Sequence, residues 1–214
     1  MRRVALLCAM VLALTGTGSA VKADQPPATV MASDFTPGGI VAMRRLTEAQ
    51  YRNAIADIFG PDIRVAGRFE PIVRPAHELI ASGARGASSS PAGLEQFDAI
   101  GRGIAAQVFD AGHGSQFMQC ATQGDDCARS TLVPIGRYLF RRPLTEAEEA
   151  YYVALAGEAG RITGSFEKGL ELALATMLIA PDFLYVIERA EADPANPGAL
   201  RLDVARRPSP PCHR

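Results

Sequence analysis

The chain has no tryptophan, three histidines and four cysteines in 214 residues. Histidine is the commonest metal ligand and the side chain that titrates near neutrality. His77, His113 and His213 never pair at i+3 or i+4, so no zinc spacing exists. His77 and His113 read as solvated loop side chains. A surplus of one charge is missing as well: 22 basic residues face 23 acidic ones, for a net charge of −1. That balance, without a basic patch, excludes a nucleic-acid partner or an anionic membrane surface. No Walker loop, nucleophile elbow or zinc-protease motif occurs. Gly101-Arg102-Gly103 lies inside a helical pattern with no strand before it, so it is not a dinucleotide motif. Strand signals are scarce, and no helix–strand alternation suggests a parallel sheet.

Long apolar runs are confined to the N-terminus. Arg2 and Arg3 precede an apolar stretch from Val4 to Leu14, and small residues follow up to Ala20 and Ala23. This is the layout of a signal peptide over residues 1–23, too short for a permanent anchor. Cys8 stands in the first half of the apolar run, where a lipoprotein cysteine does not belong. No later segment has the ~20 consecutive apolar residues of a membrane span. Cleavage after Ala23 removes three basic residues and no acid, leaving 19 against 23 and a net charge of about −4. The expected location is periplasmic or secreted. With 48% hydrophobic residues the remainder can bury a modest core.

Residues 24–42 are rich in Pro, Gly and small polar residues and read as a flexible linker. In the N-terminal helical motif, 43–60, Thr47 and Gln50 form a capping box. Tyr51, Ile55, Ile58 and Phe59 then make one apolar stripe until Gly60-Pro61. Residues 61–90 keep no period and form an irregular loop, either functional or disordered. A helical domain is expected over 91–189. Pro91 suits a first turn, and Leu94, Phe97, Ile104 and Val108 fall near one face. A second helix over about 128–141 contains Pro134, which implies a kink or a later start. Thr145 with Glu148 repeats the capping box, and Leu144-Thr-Glu-Ala echoes Leu46-Thr-Glu-Ala. Ser165 caps a helix from Phe166 to about Ala180 that is apolar on nearly every side, as in the buried helix of a bundle. Pro181 begins a last turn or two through Phe183, Leu184, Tyr185 and Ile187. Residues 190–214 read as a disordered or aberrant tail. The fold expected is all-α, an irregular bundle of about four to six helices with long loops.

The best local constellation is Cys120 and Cys127, bracketing a turn-prone Gln-Gly-Asp-Asp. In an exported chain a disulfide is the leading reading, with free thiols or a metal pair as alternatives. Cys212-His213 would suit haem attachment only with a cysteine at 209, where Ser209 stands. Arg141-Arg142 reads as anion-binding or, more plainly, as cations favoured at a helix C-terminus. Asp125, Asp126 and Asp110 match no calcium loop and read as solvated turns. No catalytic, cofactor-binding or metal residue is assigned.

Three stretches carry a resemblance: Arg45-Leu-Thr-Glu-Ala-Gln through Phe59-Gly60; Cys127 through Phe140-Arg-Arg-Pro-Leu-Thr-Glu-Ala-Glu148; and Ser165 through Pro181-Asp-Phe-Leu-Tyr185. Together they resemble the N-terminal helical modules, domains of unknown function, of large secreted planctomycete-cytochrome-type proteins. The likeness covers about 43–203, parts of the loop excepted. It implies an exported chain, helical modules and, in some relatives, a haem c domain elsewhere; it assigns no catalytic residue. Such a family would continue as a helical domain after Asp203, whereas Val204 to Arg214 does not, so the expectation is a truncated or frameshifted product. The functional expectation is a non-catalytic module of a larger cell-envelope protein, partnered by absent C-terminal domains or another envelope protein. The alternative is part of a haem-c-linked redox or polymer-degrading enzyme whose active site and cofactor lie in missing domains. A glycan-binding module built on the 61–90 loop is a third reading, disfavoured by its few aromatics.

Overall fold

The computed structural model describes residues 39–72 and 89–202. Residues 1–38, 73–88 and 203–214 lie outside them, and with them the signal peptide, most of the linker, His77, Cys212 and His213. The elements run β1 (Ile40–Arg45), α1 (Glu48–Phe59), α2 (Pro91–Val108), α3 (Gly114–Phe117), α4 (Asp125–Phe140), α5 (Glu146–Thr163), α6 (Phe166–Ile179), α7 (Pro181–Leu184), β2 (Tyr185–Ala192) and β3 (Leu200–Leu202).

Local sequence accounts for the helix boundaries. Thr47 and Thr145 both form complete capping boxes, with Gln50 and Glu148 respectively. Ser90 and Ser165 accept the amides of Gly93 and Lys168, and Gly164 ends α5 in the left-handed region at φ 70°. Helix α4 starts at Asp125, ahead of the expected Ala128, and carries exposed Pro134 within its length.

Helix α6 is the buried centre, as its all-round apolar sequence requires: Leu170, Ala173, Leu174, Ala175, Met177 and Leu178 are all buried. It packs on α5, α2, α4 and α7. The α5–α6 crossing is tight at Gly169, where a Cβ would lie 2.8 Å from the Gly160 amide nitrogen and 3.0 Å from its Cα. One continuous core joins α1 through Tyr51, Ile55 and Phe59, α2 through Phe97, Ile100 and Ile104, and α4 through Leu132 and Leu139.

The fold is mostly helical but not all-α. The strands form an antiparallel sheet in the order β1-β2-β3, with a bulge between Ile40 and Ala42. Two expectations change. Strand β1 begins inside the stretch read as linker, and β2 replaces the continuing helix expected after Pro181 and runs, with β3, into the stretch read as an aberrant tail. The reason is that α7 lasts one turn, and the β-favouring Tyr185-Val186-Ile187 then finds Arg45, Arg44 and Met43 as partners. That pairing spans some 140 residues of sequence and leaves no local trace.

Candidate functional site

The three motif stretches quoted above converge on the junction of α4, α5, α7 and the β1–β2 pair. Arg141 ends α4 in the left-handed region, φ 58° and ψ 25°, the only non-glycine residue with positive φ among those described. Such a backbone costs about 1 kcal/mol or more. Its guanidinium donates to the carbonyls of Asp182, Phe183 and Tyr185 at 2.8, 3.1 and 2.9 Å. It therefore satisfies the open end of α7 and fixes the start of β2.

Arg142 turns the other way. Its two terminal nitrogens grip Glu148 at 2.7 and 2.6 Å, and one also reaches Asp182 Oδ1 at 3.0 Å. The guanidinium lies 5.5 Å from the Phe140 ring centre. Glu148 in turn accepts from the Thr145 amide at 2.8 Å and from its hydroxyl at 3.0 Å. The Arg142 bonds, followed by those from Thr145, hold the Glu148 carboxyl at about 2, far below its ordinary 4.5. Hydrogen bonds to Glu148 and then to Asp182 raise Arg142 above the usual guanidinium range. The Arg142 Nε–H is buried without an acceptor.

A second arginine clasp stands at the other Leu-Thr corner. Arg45, fully buried, donates to Glu70 Oε2 at 2.7 Å and to the carbonyls of Glu70 and Pro71. Glu70 also accepts from the Ser90 amide at 3.2 Å. Ser90 and then Arg45 lower its carboxyl below the usual range. Beside it, Arg45, Thr47, Gln50, Phe69, Glu70 and Phe97 line a cleft of about 650 Å³. The cation in its wall is already matched by Glu70. Aromatic contacts continue the clasp inward, with Tyr51 5.2 Å from Phe69 and 5.1 Å from Phe183. Burial raises the Tyr51 hydroxyl above its ordinary range.

The residues expected from sequence divide clearly. Cys120 and Cys127 form a disulfide, with Cα atoms 5.5 Å apart, closing the loop before α4. Arg141 and Arg142 stand at the C-terminal end of α4, as expected, and part of their hydrogen bonding goes to acceptors in the distant segment Asp182–Tyr185. His113 meets only its own turn: Asp110 Oδ1 lies 3.0 Å from His113 Nδ1 and accepts the amides of Gly112 and His113. Those backbone and side-chain bonds lower Asp110. Asp125 and Asp126 sit exposed in the first turn of α4. Among the described residues no group of His, Cys, Asp and Glu is arranged for a metal ion. No helix among them is long and apolar enough to cross a membrane. Glu70 lies at no periodic or motif-defining spacing, and Asp182, although inside the Pro181–Tyr185 motif, carries no local sign of its arginine partner. The available signal was the arginine shared by both Leu-Thr corners.

Two family models match the chain. Residues 44–110 match a protein of unknown function family, DUF1587, and residues 127–188 match a second, DUF1595. Both lie within the span of the resemblance drawn from the motifs, and both are domains of unknown function. No curated protein and no solved structure matches. Arg45, Tyr51 and Glu70 fall in the DUF1587 segment; Arg141, Arg142, Glu148 and Asp182 fall in the DUF1595 segment.

Proposed function

We propose that this chain is a non-catalytic helical module of a larger exported cell-envelope protein, and that it works by packing against further domains of that protein. The observation that carries this reading is the direction of the motif arginines. Arg45, Arg141 and Arg142 bond to carboxylates and carbonyls of the chain itself, so the most distinctive residues hold the fold together instead of facing a substrate. A disulfide between Cys120 and Cys127 suits an oxidising compartment, which supports export by the N-terminal leader.

The apolar side chains left half-exposed on the sheet, Ile40, Met43 and Leu202, are candidates for the surface that meets such a neighbour. The test is made on the purified chain. Binding of a hydrophobic dye, or concentration-dependent association in sedimentation, is expected, and substituting Met43 and Leu202 by Ser should reduce it. An inert monomer without dye binding would refute the module reading. Fractionation of expressing cells, with alkylation before reduction, should find the oxidised chain outside the cytoplasm.

A further inference from the structure

Two matching family models suggest two separable domains, but the packing of the elements says otherwise. In the DUF1587 segment, α1 and α2 do not pack along each other. They meet through a few rings: Phe97 is 6.0 Å from Tyr51 and 5.8 Å from Phe69. Their helix and strand packing goes to the other segment, with β1 on β2, α1 on α4 and α2 on α6, while inside the segment residues 60–72 bridge them through Phe69, the Arg64–Gln107 pair and the Arg45–Glu70 clasp. The DUF1595 segment differs, because α5 packs along α6 and α4 packs on both.

We infer that the DUF1587 segment has no folded state of its own and takes its structure by docking onto the DUF1595 segment. The docking surface has three parts, each with its own chemistry. The edge of β2 supplies backbone hydrogen bonding to β1, in the register Arg45 with Tyr185 and Met43 with Ile187. The face of α6 accepts α2 at Gly101, where a Cβ would lie 3.3 Å from Leu178 Cβ and 3.4 Å from the Ala175 carbonyl. Phe183, wholly buried, reaches the Tyr51 ring of α1. The partner this surface fits is a strand–helix corner of the Arg-Leu-Thr type followed by a glycine-faced helix, here provided in the same chain. A segment whose helices pack mainly against a neighbour, with a small ring cluster of its own at Tyr51, Phe69 and Phe97, lacks the burial needed to offset its own chain entropy. The inference concerns how the two segments depend on each other and goes beyond the envelope-module reading.

Hydrogen exchange read by mass spectrometry on the intact chain, across a urea series, tests it. Peptides of α1 and α2 should lose protection no later than those of α5 and α6. Protection persisting in α1 and α2 after α5 and α6 have exchanged would overturn the inference. A variant adds a second reading. Gly169→Val wedges the α5–α6 crossing, which touches no residue of the DUF1587 segment among its nearest neighbours. Exchange in α1 and α2 should then accelerate about tenfold or more, the equivalent of ~1.4 kcal/mol. Wild-type protection in α1 and α2 alongside a loosened α5–α6 pair would refute it.

Discussion

Replacing Glu148 by Gln removes the charge that joins the Thr145 cap to Arg142, and its cost can be worked from the structure. The carboxyl is held at about 2 in the fold against 4.5 unperturbed. At ~1.4 kcal/mol per unit, that depression corresponds to an upper limit of about 3 kcal/mol. Glu148 is 28% exposed, while Arg142 is 12% exposed, so solvent screening trims the figure to about 2 kcal/mol. Glutamine keeps the shape and one acceptor, which isolates the charge from the packing. The sign follows from the direction of the shift. A depressed carboxyl stabilises the fold fully above its unfolded value of 4.5, and this stabilisation fades as pH falls towards about 2. Urea unfolding followed by far-UV circular dichroism, at neutral pH and in steps down to acid, gives the comparison. Glu148→Gln should be less stable by about 2 kcal/mol at neutral pH, and the gap should close towards the acid end. An offset below about 0.5 kcal/mol, or one that stays constant with pH, would refute the reasoning.

Arg141→Gly relieves a left-handed backbone but deletes three bonds to carbonyls. The expected net result is a loss of about 1–2 kcal/mol in the same urea assay, and a variant as stable as the parent would contradict the capping role. Opening the disulfide by Cys120→Ser with Cys127→Ser should cost about 2.5 kcal/mol for so short a loop; alkylation without reduction should label neither cysteine in the parent. Thr47→Ala and Thr145→Ala should each cost about 1 kcal/mol, the second more than the first, because the Thr145 hydroxyl also donates to the Glu148 carboxylate that Arg142 grips. Equal losses would show that the two corners act as plain caps.

Much of the fold is written in short-range chemistry. Capping boxes at Thr47 and Thr145, the serine caps and the glycine stop at Gly164 act within four residues of themselves, so spacing alone reveals them. The all-round apolar stretch from Phe166 likewise announces a central helix, because such a helix has no stable alternative to burial. The Cys120–Cys127 pair, seven residues apart, is similarly local. The sheet was not legible, since β1 and β2 lie at opposite ends of the described chain and their pairing depends on residues some 140 positions apart.

The site divides in the same way. Arg141 and Arg142 stand out by their position at the end of a helix, and nothing local says where their guanidiniums turn. The tertiary structure decides this by bringing the carbonyls of α7, the carboxylates of Glu148 and Asp182 and the Thr145 cap into reach at one junction. A guanidinium donates in a planar fork and is satisfied by whatever acceptors surround it. Sequence thus determined which side chains were exceptional and which helices carry them. Their role as clasps was decided by three-dimensional proximity, because hydrogen bonding depends on distance in space and not on separation along the chain.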